Sequence, residues 1–121
     1  MAIYDGKSGI AIDESLNAIV KAADTNCTGV DSNGFSTVTH VVNVGAPGIT
    51  FSGTNKVEIE LEHSDDNSSF TDVTSNTDVV GGTVGTNGLW QTIDANGDCN
   101  AVYAIGYVGG KRYSRVVLNY S

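Results

Sequence analysis

An all-β domain, a single β-sandwich or small barrel of about seven or eight antiparallel strands behind an N-terminal arm or short helix, is what this 121-residue sequence predicts. Three observations carry that expectation. Val57 to His63 alternates strictly, with Val57, Ile59 and Leu61 on one side and Glu58, Glu60 and Glu62 on the other. Ala101 to Tyr120 holds two runs rich in Val, Ile and Tyr joined by Gly109-Gly110, the two-residue connection of a primed hairpin turn. A composition with 15 glycines, one proline and 17% charged residues suits short strands and tight turns.

In chain order, residues 1–26 form an N-terminal arm and residues 27–121 the β-sandwich domain. In the arm, Leu16, Ile19, Val20 and Ala23 sit at helical spacing with Asp13 or Ser15 as N-cap. That leaves open a helix of at most three turns, an extended arm that docks on a partner, or a frayed end. Thr28 to Val30 reads as a short strand and Asp31 to Gly34 as a turn. Phe35 to Val44 reads as a strand with Val38, His40, Val42 and Val44 on one face. Gly45 to Gly48 ends it. In Val57 to His63 the glutamates are expected on a solvated outer face, where they deter edge pairing. A polar loop from Ser64 to Ser69 leads into Phe70 to Val73. Weak strands follow at Val79-Val80, near Thr83-Val84 and at Leu89 to Ile93. In the terminal hairpin, Val108 opposite Lys111 sets Ile105 against Ser114 and Tyr103 against Val116. Ile105, Val116 and Leu118 are then expected in the core.

Composition also bounds function. A net charge of −8 with only 6 Lys and Arg argues against nucleic acid, whose phosphates demand clustered cations. No apolar run approaches the roughly 20 residues that span a bilayer, and the start MAIYDGKSG has no secretory signal character. Cys27 and Cys99 stand outside any Cys-x-x-Cys or Cys/His cluster, so free thiols are expected rather than a bridge or a zinc site.

The search for reactive groups returns no catalytic residue, no metal site and no cofactor. Asp94, Asn96 and Asp98 have the spacing of a calcium loop, but Cys99 and Ile105 replace the glycine and glutamate such a loop needs. The two histidines, His40 on an apolar strand face and His63 at a strand end, lack a nucleophile and an orienting group beside them in sequence. Asp65 and Asp66 share a turn, where bonding to nearby backbone N–H groups accounts for them.

Three segments, NGFSTVTHVVNVG from Asn33, LEHSDDNSSFTDV from Leu61 and YAIGYVGGKRYSRVVLNYS from Tyr103, resemble small head structural proteins of tailed bacteriophages, of the capsid decoration or cement type. The resemblance runs from about Gly29 to Leu118, and Gly106 to Tyr113 (GYVGGKRY) is its most specific part. Asn67 departs from it at a turn position that often carries Gly. The resemblance implies a non-enzymatic virion protein on the outer surface of the capsid, made in the host cytoplasm. Its partners would be the major capsid protein and neighbouring copies of itself, with both a trimer and a monomer that assembles on the shell left open.

The arm matches nothing in that family. Its large apolar residues Ile3, Tyr4, Ile10, Ile12, Leu16 and Ile19 are too many for an idle tail and too irregular for one face of the domain, so they are the expected partner-binding residues. A module binding host-surface glycan through Trp90 and Tyr113, and a head-completion or tail protein, are the competing readings.

Overall fold

The computed structural model describes residues 10–121 and shows two antiparallel sheets facing one another. Nine strands build them: β1 (Thr25–Asn26), β2 (Val30–Asp31), β3 (Val38–Val44), β4 (Val57–Ser64), β5 (Thr71–Asp72), β6 (Val79–Val80), β7 (Leu89–Ile93), β8 (Ala101–Tyr107) and β9 (Tyr113–Tyr120). The larger sheet is centred on β4 and β9, paired along their full length from Val57 opposite Tyr120 to Ser64 opposite Tyr113. Short strands flank this pair, β1 and β2 along β9 and β5 and β7 along β4. The smaller sheet has the order β3-β8-β6, and the two sheets do not close into a barrel.

The alternation of β4 folds as it reads: Val57, Ile59 and Leu61 are all buried. Inner-face side chains of both sheets form two packed clusters. Val57, Ile59, Ile93, Val116 and Leu118 from the larger sheet meet Val42, Val44 and Tyr103 of the smaller one. Leu61 and Val73 meet Val79, Ile105 and Tyr107. His40 shares the inner face of β3 with the valines and is buried. Cys27 and Cys99 are buried, free thiols in the first cluster. No helix among the described residues is long and apolar enough to cross a membrane.

Three expectations are corrected. First, β8 and β9 are not a hairpin. Ile105 lies opposite His40 and Ser114 opposite His63, in different sheets, so the Gly109-Gly110 segment crosses between layers. Neither glycine has positive φ, which a primed turn requires at its central residues. Gly109 is there for close approach, since a Cβ would sit 2.5 Å from the Tyr107 hydroxyl. That hydroxyl accepts the Lys111 N–H at 3.2 Å and hydrogen-bonds His63 Nδ1 at 2.9 Å, so Tyr107 pins the crossover. Ile105, Val116 and Leu118 are nonetheless buried, because each strand turns the same residues inward whichever neighbour it has.

Second, the glutamate row is not a solvated edge. β4 is an interior strand, and its outer face is roofed by neighbours. Glu58 pairs with Lys56 at 2.7 Å, and Glu62 with Arg115, its cross-strand partner, at 2.6 Å. Arg115 stacks on the Phe70 ring, its guanidinium 3.9 Å from the centroid. Glu60 is buried and bonds Asn119, and burial is the main cause that raises its carboxyl pKa.

Third, residues near Thr83-Val84 are not a strand, although Val84 is buried; and of the readings left open for the arm, the helix is the one that does not form between Leu16 and Ala23. The third of a helix's face that Leu16, Ile19, Val20 and Ala23 would supply has no wall of the domain to pack on except at Leu16, and an isolated segment this short does not hold helix alone.

Candidate functional site

The arm runs along the body without regular structure, from residue 10 to the start of β1. Two anchors hold it. The Ser15 carbonyl accepts the Thr28 N–H at 3.1 Å while Leu16 packs against the first core cluster. At its far end, Asp24 Oδ1 accepts the Tyr120 N–H at 2.7 Å and so ties the arm to the last strand. Between and before these anchors the apolar side chains have no home: Ile10 is 60% exposed, Ile12 81%, Ile19 63% and Val20 91%. Of the partner-binding residues expected from sequence, Ile10, Ile12 and Ile19 are therefore presented to solvent. Leu16 serves the body instead, and Ile3 and Tyr4 lie outside the described residues. The arm and β3 together wall an open groove of 1770 Å³ whose floor includes Val57, Ile59, Val116 and Leu118.

The polar groups singled out from sequence are engaged structurally. Asp98 Oδ2 accepts the N–H groups of Asp94 and Ala95 within the loop, and Asn96 Oδ1 accepts that of Phe51 from a distant one, so these oxygens are spent on backbone N–H groups. Among the described residues no group of three or more His, Cys, Asp or Glu side chains is arranged to hold a metal ion. Asp66 Oδ1 accepts from Ser64 Oγ and from the N–H groups of Ser68 and Ser69, bonds that hold its carboxyl below the usual carboxylate range. Asn67 beside it has φ +59, the left-handed conformation that explains why such a turn takes Gly or Asn. Asp31 receives both Arg112 Nε and Nη2 at 2.8 Å, and this pairing holds its pKa down to about 2.

The structure does join one histidine to a hydroxyl: His40 Nε2 and Ser114 Oγ share a hydrogen bond of 2.8 Å. Both residues are sealed between the sheets, His40 at 6% and Ser114 at 1% exposure, so the pair ties layers together out of reach of any substrate. Trp90 and Tyr113 are not brought together as a stacking platform. Trp90 sits at the β7 bulge beside Ile59 and Glu60, packed against both core clusters with its indole N–H unpartnered. Tyr113 begins β9 under the Arg112 guanidinium.

Sequence reasoning missed the outer face of the smaller sheet. Val41, Val80 and Val102 are 61%, 50% and 63% exposed there, beside exposed Thr39, Asn43 and Ala104. The signal was present in VTHVVNV, where Val41 breaks the alternation and puts valine on both faces. No family model matches the chain, and no curated protein and no solved structure is significantly similar to it.

Proposed function

We propose that this chain is a non-enzymatic structural protein of a tailed-bacteriophage head, which decorates the outer surface of the shell by gripping the major capsid protein through its arm. One observation carries the reading: Ile10, Ile12, Ile19 and Val20 lie on a segment without regular structure and stay 60–91% exposed, left largely uncovered by the body. Apolar side chains in that state gain about 1.5–3 kcal/mol each when a partner buries them, against roughly 1–2 kcal/mol for every backbone residue that must be ordered. The Ser15 and Asp24 anchors reduce that ordering cost, because the segment between them is already tethered. Single-site binding is weak on this accounting, and the regular spacing of a shell turns it into stable occupancy. The resemblance of residues 29–118 to head decoration proteins supports the same partner.

Co-sedimentation tests it. Purified chain is mixed with empty heads assembled from the major capsid protein encoded in the same genome, and in parallel with host cells. Saturable recovery with heads, lost when Ile10, Ile12 and Ile19 are all changed to Ser, is the expected result. Recovery with cells alone, or saturation of heads by the triple variant, overturns it.

A further inference from the structure

The two sheets differ sharply in charge. The larger carries Asp31, Glu58, Glu60, Glu62, Asp72 and Arg115, whereas β3, β6 and β8 contain no Asp, Glu, Lys or Arg at all. In a chain with 14 acidic and 6 basic residues, the smaller sheet is an uncharged island. One of its margins is also an open edge. β3 pairs only with β8, and no strand or backbone hydrogen bond among the described residues occupies its other side. Every second residue of such a strand turns its N–H and C=O toward the empty side.

Protein edges of this length are normally guarded by a charge, a proline or a bulge, or kept very short. The other flanking strands here obey that rule: β1, β2, β5 and β6 have two residues each, and β7, with five, carries a bulge where its register on β4 shifts between Ile59 and Glu60. β3 has seven residues and none of those guards, and the arm, which walls the same groove, makes no backbone hydrogen bond to it among the described residues.

We infer that β3 is a self-association edge, which pairs antiparallel with β3 of a second copy about a two-fold axis at Val41. Self-complementarity of the strand points to that occupant. With Val41 opposite Val41 of the second copy, Thr39 meets Asn43 and His40 meets Val42. Val38 meets Val44, and no charge falls anywhere along the seam. The same register sets exposed Phe35 at one end of β3 beside the 45–49 loop of the second copy, whose Ile49 is also exposed. Copies that each carry −8 repel, and they approach at least cost through the one sheet that carries none of that charge. The product is a continuous six-stranded sheet with Val41, Val80 and Val102 of both copies on its outer surface. This contact is independent of whether the arm grips a shell.

Multi-angle light scattering on the full chain across a concentration series is the direct test, with a monomer–dimer equilibrium expected. Val41→Lys places two like charges at the axis on a side chain that is 61% exposed, so the monomer keeps its fold by circular dichroism while dimerisation weakens at least about tenfold. Val41→Glu does the same, and an equimolar mixture of the two variants recovers the dimer as a heterodimer. Amide exchange in β3 slows with rising concentration at alternate residues. A monomer at every concentration, a trimer, a dimer indifferent to both charges, or one abolished by deleting residues 1–14 instead would each overturn the inference.

Discussion

His40 on β3 and Ser114 on β9 share the buried hydrogen bond that stitches the smaller sheet to the larger one, across 74 positions of sequence. Burial holds the imidazole neutral, with its pKa brought from 6.5 down to about 4. An unfolded chain takes up that proton first. The stabilisation is therefore complete above about pH 6.5 and lost progressively as pH falls toward 4, by on the order of 3 kcal/mol. Denaturant melts of the wild type should show stability falling through that window. His40→Gln, which retains a side-chain donor toward Ser114, should flatten the slope between pH 6.5 and 4. A separate loss below about pH 4 belongs to Asp31, whose carboxylate Arg112 holds ionised.

Ile105 and Glu60 are both buried, with opposite consequences when changed. Ile105→Ala empties space among Leu61, Val79 and Tyr107 and should cost about 2–5 kcal/mol in urea melts. Glu60→Gln keeps the bond to Asn119 and removes a charge that burial and its neighbours Asp72, Glu58 and Glu62 all disfavour. The melting temperature at neutral pH should rise with that change, and the gain should shrink as the solution is acidified toward the carboxylate range.

Gly88 holds φ +72 with the Leu61 backbone packed against it, where a Cβ would collide with the Leu61 carbonyl. The Thr86–Gly88 turn thus seats β7 on β4 just where their register shifts between Ile59 and Glu60. Gly88→Ala should destabilise by at least about 2 kcal/mol, combining left-handed strain with the clash. Thermal melts measure the loss. Gly97→Ala, with open space around the position, is the control that should change little.

The arm should divide at Leu16. Among the described residues, a deletion of residues 1–14 removes no side chain packed on a core cluster, and it should leave the melt within about 0.5 kcal/mol of the full chain. Extending the deletion through Val20 strips Leu16 and the Ser15 carbonyl that holds Thr28, and should cost about 1–3 kcal/mol more. Differential scanning calorimetry of the two truncations separates attachment residues from structural ones.

Much of this was legible in the sequence because period-two patterns fix which face of a strand is buried. Val57, Ile59 and Leu61 on β4, His40 on β3, and Ile105, Val116 and Leu118 at the end all point inward as their spacing demands. Pairing partners were not legible, because β8 and β9 are apolar enough to sit in either sheet. Gly109-Gly110 announces only that the chain turns. The glutamates of β4 show the same limit. Alternation says that they leave the core, but only the positions of Lys56, Arg115 and Asn119 reveal that they are covered when they do. In the candidate site, the apolar excess of the arm was visible from composition. Which of its residues the body claims depended on a single contact at Leu16.

The crossover from β8 to β9 also sets when this chain is able to fold. With no hairpin at its end, its sheets must close over long intervals, such as the 53 positions between Glu62 and Arg115. Such non-local pairing is entropically slow to initiate, which places the chain among the slower-folding small domains. β9, the latest of these strands in sequence, is also the middle of the larger sheet, paired on one side with β4 and on the other with β1 and β2. Until β9 joins, β4 has only β5 and β7 along one side, and the side that β9 will take, from Val57 to Ser64, stays open. Until β9 docks, the charges of Glu58, Glu60 and Glu62 along that open side disfavour pairing with other chains.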